Sequence, residues 1–111
     1  MKVTFCSEAH AELRALPSGE RAAILAAVEK LRALGDQLSA PHSSAVQGIT
    51  QSLRELRPRA GRSRWRAFYR RIGDVMVIGA IGPEAQVNAN GFRRAVSLAL
   101  ERLVAFEEGT K

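Results

Sequence analysis

With 111 residues, of which 46% are hydrophobic and 25% charged, the chain has the composition of one ordinary globular domain, expected to span residues 1–111. This composition excludes a collagen-like or extensively disordered chain, and the lone Cys6 excludes an intramolecular disulfide and a cysteine-based zinc site. The amino end lacks a signal peptide's apolar run, and no stretch reaches the ~20 apolar residues of a membrane span. We therefore expect a cytoplasmic protein without a membrane partner.

The first half of the chain predicts one strand followed by two helices. Residues 3–5 are a short β-prone run. Apolar residues then recur at helical spacing in a helix capped by Ser7 and ended by Pro17. A second apolar stripe follows in a helix capped by Ser18 and stopped by Gly35. The two helices form an αα-hairpin that is expected to cover one face of a sheet.

The second half predicts three antiparallel strands and a final helix. Residues 36–50 contain three Ser, two Gln, Gly48 and Pro41, a composition that predicts a loop. The elements that follow are a strand over 53–57, a turn over 58–63, a strand over 65–72, a strand over 75–81 and a helix that Asn90 caps. The strand at 75–81 is almost wholly apolar, which is typical of a central strand. The order β-α-α-β-β-β-α predicts an α+β fold with an antiparallel meander.

The net charge of +6 is concentrated in one segment. From Arg54 to Arg71 there are eight arginines and one acid, giving +7, whereas the rest of the chain carries −1. The guanidinium group binds phosphate in bidentate fashion and stacks on bases. The eight arginines are Arg54, Arg57, Arg59, Arg62, Arg64, Arg66, Arg70 and Arg71. This pattern indicates an RNA-binding hairpin.

Strand alternation predicts which of these side chains act together. Successive residues of a strand point to opposite faces, so if Trp65 and Tyr69 face the helices, Arg66 points to the open side. In a plausible register Arg57 and Glu55 lie beside it. Two guanidinium groups there would stabilise the charge that builds on a phosphate as the adjacent 2′-hydroxyl of RNA attacks it. We therefore predict Arg57, Arg66 and Glu55 as the catalytic set.

Further RNA contacts are expected around this groove. The predicted contacts are Arg54, Arg59, Arg62, Arg64, Arg70 and Phe68, whose exposed ring would stack on a base. The plainer alternative is that arginines on solvent-facing strand positions only keep the sheet edge soluble, and that Glu55 simply pairs with Arg57 or Arg66. His10 and His42 lie far apart and lack metal-ligand spacing, so no metal and no cofactor is predicted.

These motifs resemble a known family. The run Leu53-Arg54-Glu55-Leu56-Arg57-Pro58, followed by Arg66-Ala67-Phe68-Tyr69-Arg70, a Gly-Asp turn and an apolar strand, resembles the RelE/HigB superfamily of bacterial toxins, particularly its phage-derived HigB-like branch. The resemblance covers nearly the whole chain. It implies a small sheet with helices packed on one side, and a toxin that cleaves mRNA on the ribosome. It also implies a cognate antitoxin, expected to be a helix-turn-helix protein, that holds the toxin inactive.

The resemblance also implies roles for individual residues. Arg57 and Arg66 match the sheet arginines that contact the scissile phosphate, and Glu55 lies where a polar or basic groove residue is often found. Tyr69 matches a family tyrosine that is more often structural than catalytic.

One departure from the family keeps a second function open. Residues 81–90 contain no basic residue, no His and no Tyr, although catalytic relatives often place a proton-transfer group there. General acid and base catalysis typically contribute about 10²- to 10⁴-fold, and the nearest substitutes are Glu84, Arg93 and Arg94. The alternative is a noncatalytic protein on the same fold, either an RNA-binding module or a gyrase poison of the ParE kind.

Overall fold

The computed structural model describes residues 1–109, in which a five-stranded mixed sheet is combined with three α-helices. The elements are β1 (Lys2–Phe5), α1 (Ser7–Ala15), α2 (Ser18–Leu34), β2 (Ser43–Ala45), β3 (Arg54–Leu56), β4 (Trp65–Ile72), β5 (Val75–Pro83) and α3 (Ala89–Gly109). Two short 3₁₀ turns, Gly35–Gln37 and Pro58–Gly61, follow α2 and β3. The predicted domain boundary at residue 111 lies outside the described residues. None of the helices in this part of the chain is long and apolar enough to cross a membrane.

The sheet has the strand order β1-β5-β4-β3-β2. Strands β2 to β5 form an antiparallel meander, and β1 joins β5 in parallel. The predicted α+β fold and the meander are confirmed. The loop prediction for residues 36–50 is wrong at Ser43–Ala45, which pairs with β3. This three-residue strand lacks apolar alternation, so tertiary pairing alone makes it a strand.

The predicted helix caps are one residue or more from their true positions. Ser7 is the first residue of α1, and its hydroxyl donates to Glu8 Oε1 at 3.1 Å. Ser18 likewise begins α2 inside the helix. At α3 the capping side chain is Asn88, whose Oδ1 accepts a hydrogen bond from Gly91 N at 2.8 Å, and Asn90 lies within the helix. The predicted stop at Gly35 is confirmed by its left-handed φ of 53°.

Both faces of the sheet are covered. Phe68 of β4 packs edge to face on Phe92 of α3, with ring centroids 5.3 Å apart. The opposite face of β4 carries Ala67 beside Leu56 of β3, and Leu56 lies next to alanines of α2. The resemblance implied helices on one side only. The difference arises because the central strands are apolar on both faces, and each face needs a cover.

A charged pair, Glu12 and Arg102, binds the backbone of β5 beyond the end of β1. Phe5 pairs with Ile78, so the rest of β5 has no strand neighbour on that side. Glu12 of α1 accepts a hydrogen bond from Ile81 N at 3.0 Å, and Arg102 of α3 donates to Gly79 O at 3.1 Å. Glu12 and Arg102 also pair with each other at 3.0 Å. Because these side chains satisfy backbone groups that would otherwise be unpaired, they tie the helices of both faces to the sheet edge.

Candidate functional site

The register of β3 and β4 brings the three predicted catalytic residues together. Glu55 lies opposite Phe68, and the same register continued by two residues places Arg57 opposite Arg66. Arg66 Nε lies 3.8 Å from Glu55 Oε1. Both arginines also reach Gly61 of the second 3₁₀ turn: Arg66 donates to its carbonyl, and the Arg57 guanidinium lies against its Cα. The predicted proximity of these residues is therefore present, at the point where β3 leads into the turn.

Arg66 is far more buried than the sequence suggested. Its exposed fraction is 3%, whereas strand alternation predicted an open position. Its Nη1 donates to Ser63 O at 2.8 Å and to Trp65 O at 3.0 Å, and its Nη2 donates to Gly61 O at 3.2 Å. The expectation of an open arginine was wrong because α3 covers the face to which Arg66 points, and because the turn folds its carbonyls over the guanidinium.

Burial shapes the electrostatics of Arg66. Burial lowers the pKa of the Arg66 guanidinium, the neighbouring Glu55 carboxylate counteracts this, and Arg57 lowers it further. Glu84 also acts on Arg66 and raises its pKa. Two carboxylates and two guanidinium groups thus form one interacting cluster, and the alternative in which Glu55 pairs with Arg66 is realised.

Two buried guanidinium nitrogens in this cluster make no hydrogen bond. Within residues 1–109, the only buried side-chain polar atoms without a hydrogen bond are Nε of Arg57 and Nε of Arg66. The half-buried Arg57 side chain makes no hydrogen bond or ion pair with any described residue. A buried donor without a hydrogen bond costs about 1 to 3 kcal/mol, so this cluster is held together at an energetic cost.

The neighbouring carboxylate is held by a residue that the sequence did not reveal. Ser44 of β2 lies opposite Glu55 and donates from Oγ to Glu55 Oε1 at 3.3 Å. The Glu55 side chain is 16% exposed. Ser44 was missed because β2 was predicted as loop, and no motif marks it. The Glu55 carboxylate neutralises part of the positive charge of the two arginines.

The turn beside the site is strained. Arg59 and Ala60 both have left-handed backbones, with φ of 55° and 56°, a conformation that costs a residue with a Cβ roughly 1 to 2 kcal/mol. Glu20 of α2 fixes this turn by accepting from Arg59 Nη1 and from Ser63 Oγ, each at 3.0 Å. Arg59, a predicted RNA contact, is therefore already engaged within the protein. The turn and Arg66 hold each other in place beside Arg57.

The remaining predicted RNA contacts do not add an exposed group to this cluster. Phe68 is fully buried under Phe92, so the expectation of an exposed ring is wrong. Arg54 and Arg70 line a separate cavity of about 420 Å³ together with Arg71, which pairs with Asp36. Arg62 and Arg64 are exposed on the segment that follows the turn.

Tyr69 has a structural position. Its hydroxyl lies 2.6 Å from Ser43 Oγ, and both side chains are buried. Arg54 Nε donates to the same serine oxygen at 3.0 Å. The expectation of a structural tyrosine fits this contact. Within residues 1–109, no three His, Cys, Asp or Glu side chains are grouped so that they could hold a metal ion.

The comparisons with known proteins agree with this architecture. A structure of the Escherichia coli toxin RelE, a double arginine-to-alanine mutant in the free state, matches with a TM-score of 0.63 and 18% sequence identity, over 91% of this chain and 95% of that chain. The protein therefore has the RelE fold. No curated protein sequence matches the chain. The family described as "Phage derived protein Gp49-like (DUF891)" matches residues 11–78, which is more than half of the chain. The chain belongs to this phage-derived Gp49-like family.

Proposed function

We propose that this protein is the toxin of a type II toxin-antitoxin system and acts as a ribosome-dependent mRNA endoribonuclease. The proposal includes a single cytoplasmic domain spanning residues 1–111 and a cognate antitoxin, which we expect to be a helix-turn-helix protein. The RelE fold and the family membership support the toxin class. The cleavage chemistry is argued from the side chains at the end of β3.

The observation that carries the proposal is the Arg57 guanidinium, which makes no hydrogen bond or ion pair with a described residue and lies beside the paired Arg66 and Glu55. Because the Arg57 side chain is partly exposed and has no protein partner, its guanidinium group can bind a scissile phosphate. As negative charge builds on the phosphoryl oxygens, a fixed guanidinium group stabilises the transition state more than the ground state. This site therefore favours phosphoryl transfer over simple retention of RNA.

In the proposed reaction the 2′-hydroxyl oxygen attacks the adjacent phosphorus. The bond between the 2′-oxygen and phosphorus forms, and the bond between phosphorus and the 5′-oxygen breaks. Glu55 takes the proton of the 2′-hydroxyl, and the leaving 5′-oxygen takes a proton from water. The products are a 2′,3′-cyclic phosphate and a 5′-hydroxyl end. Carboxylates serve as general bases of this kind when a hydrogen-bond network holds them, as Ser44 and Arg66 hold Glu55.

Arg57 and Arg66 would then have different roles. Arg57, half-buried and unpartnered, contacts the phosphate. Arg66 donates to the carbonyls of Gly61, Ser63 and Trp65 and faces Glu55, so it acts mainly by positioning the carboxylate and the segment that joins β3 to β4. The exposed Arg62 and Arg64 are proposed to contact the RNA backbone near this site, while Arg54, Arg59 and Arg70 contribute to the overall attraction of ribosomal or messenger RNA.

A primer-extension assay of a defined mRNA, with and without ribosomes, tests the proposal. We expect new 5′-hydroxyl ends within the reading frame when ribosomes and the protein are both present. Absence of cleavage under both conditions would contradict the nuclease.

The second candidate is a noncatalytic protein on the same fold, for which primer extension should show no cleavage. The burial of Arg66 and the absence of a basic proton donor in residues 81–90 favour this candidate. An RNA-binding module would retain RNA without cleaving it. A gyrase poison of the ParE kind would instead stabilise cleaved gyrase-DNA complexes in a supercoiling assay.

A further inference from the structure

A cleft of about 630 Å³ lies where β4 and β5 meet the start of α3, away from the Glu55 carboxylate. Its walls include Arg64 and Trp65 of the β4 side, Pro83 of β5, and Asn88 and Arg94 at the beginning of α3. A cleft of this volume accommodates a ligand of nucleotide size. None of its polar wall residues has a role in the proposed cleavage reaction except Arg64, which was assigned only to the RNA backbone.

The charge of this cleft is positive and uncompensated. Arg64 and Arg94 are both exposed, and neither makes a side-chain hydrogen bond or ion pair with another described residue. The only acidic residue in the wall is Glu12. Its carboxylate is already engaged by Arg102 and by the backbone N–H of Ile81. Two guanidinium groups are therefore left for an anionic ligand.

Trp65 gives the cleft an aromatic wall. Its side chain is half-buried and also borders a smaller cleft of about 250 Å³ beside Leu16 and Pro17. The indole is thus reached from two sides, whereas Phe68 on the same strand is fully buried. An accessible aromatic ring flanked by unpaired arginines is the combination with which proteins hold single-stranded nucleic acid, because every base has a π-face and every nucleotide carries a phosphate.

We propose that this cleft binds a nucleotide of single-stranded RNA, with the base stacked on Trp65 and the phosphates held by Arg64 and Arg94. Glu55, Arg57 and Arg66 are absent from the wall of this cleft, so we propose that the nucleotide bound here is a neighbour of the one that is cleaved. Only the identification of the ligand as the cleaved RNA rests on the proposed function. The nucleotide-binding chemistry rests on the cleft itself.

The sole tryptophan of the chain reports on this cleft directly. Because Trp65 is the only tryptophan, any change in indole fluorescence on ligand addition originates here. The probe is a short 2′-O-methyl oligoadenylate, which lacks the nucleophile and cannot be cleaved by the proposed reaction. We expect saturable quenching by this oligonucleotide, weaker quenching by 5′-AMP, and none by an abasic strand of the same length. This comparison separates an RNA strand from a free nucleotide as the source of the ligand.

Two neighbouring arginines supply a matched pair of variants. Arg94 lines the cleft, whereas the adjacent Arg93 is exposed outside it and bonds to Asn90. Arg94→Gln should weaken the quenching affinity about tenfold, because it removes a charge-assisted contact to phosphate. Arg93→Gln removes the same charge from the same helix, and its affinity should stay within about twofold of wild type. Anisotropy of a labelled oligonucleotide extends the test to Trp65→Leu, which should lose roughly fivefold to a hundredfold in affinity.

The possible results decide the proposal. Equal losses for Arg94→Gln and Arg93→Gln would show general electrostatic attraction and overturn it. Quenching by the abasic strand, or competition by a poly-glutamate peptide at the same concentration as RNA, would also overturn it, the latter in favour of an acidic protein partner. If the uncleavable strand binds as predicted while ribosome-dependent cleavage is absent, the proposed nuclease function fails and the nucleotide site stands.

Discussion

The Nε atom of Arg66 lies 3.8 Å from Oε1 of Glu55, and their side chains are only 4% and 16% exposed. This contact gives the two arginines of the hairpin different roles. Arg66 is engaged by the carboxylate and by the carbonyls of Gly61, Ser63 and Trp65. The guanidinium group of Arg57, which follows β3, has no partner among the described residues. The buried charge of Arg66 therefore holds its surroundings in place, while the neighbouring charge of Arg57 is available to a ligand.

Arg66→Ala should destabilise the protein strongly. The change removes the donors to Gly61, Ser63 and Trp65 and leaves the Glu55 carboxylate without its counter-charge. We expect a loss of about 3 kcal/mol in the free energy of unfolding, measured by urea denaturation. Arg57→Ala is the control and should stay within about 1 kcal/mol of wild type. An equally small loss for Arg66→Ala would contradict the structural role assigned to this residue.

Tyr69→Phe should affect stability and leave RNA cleavage unchanged. The hydroxyl of Tyr69 lies 2.6 Å from Ser43 Oγ in a buried position, so its removal deprives β2 of a tie to β4. The expected loss in unfolding free energy is about 1 to 2 kcal/mol. Cleavage rates per folded molecule, determined by primer extension, should equal those of wild type. A large fall in the rate with unchanged stability would make Tyr69 part of the reaction.

Gly82→Ala should weaken the packing of α3 on the sheet and lower the stability of the protein. A Cβ at position 82 would lie 2.4 Å from the Cβ of Ala95, and the alanine Cβ cannot move aside without its backbone. We expect a loss of about 1 to 3 kcal/mol in unfolding free energy. Gly19→Ala in the first turn of α2 is the matched control, since its added Cβ meets no atom within 4 Å. That control should be neutral or more stable by roughly 0.5 kcal/mol, as measured by thermal unfolding.

Cys6 should react slowly with thiol reagents. Its side chain is buried, and burial, followed by the charge of Glu8, raises the pKa of the thiol above its ordinary value of 9.0. Alkylation by iodoacetamide near pH 8 should be at least about tenfold slower than in the urea-unfolded chain, because the thiolate is the reactive form. The folded pKa is the higher one, so the contribution of Cys6 to stability is present below pH 9 and falls as the pH rises through the folded value. A Cys6→Ala variant should lack this alkaline decline.

Much of the fold was predictable because hydrophobic period and turn chemistry agree along most of the chain. The strand at Trp65–Ile72 and the helix stop at Gly35 were predicted correctly from local pattern. Strand β2 could not be predicted, since Ser43–Ala45 carries no alternation and owes its conformation to β3. Helix starts shifted because Ser7 and Ser18 lie inside their helices, where neither serves as the cap.

The proximity of the candidate site residues was predictable from the sequence, and their exposure was not. Strand alternation correctly paired Arg57 with Arg66 and placed Glu55 beside them. Alternation fixes which side chains share a face, yet it does not say which face a distant helix will cover. The packing of α3 over Phe68 therefore reversed the expected exposure of that ring and contributed to the burial of Arg66. The contact of Ser44 with Glu55 could not be predicted, because strand β2, which carries Ser44, was not predicted either.

The proposed role of Arg57 in stabilising the scissile phosphate is tested by measuring ribosome-dependent mRNA cleavage by the Arg57→Gln variant. Arg14→Gln is the matched control, because Arg14 is an exposed arginine on α1 whose side chain has no partner among residues 1–109. Both variants should unfold at the same urea concentration as wild type. We expect the cleavage rate to fall about a hundredfold or more for Arg57→Gln and less than about twofold for Arg14→Gln. Cleavage at the wild-type rate by folded Arg57→Gln would contradict the proposed role.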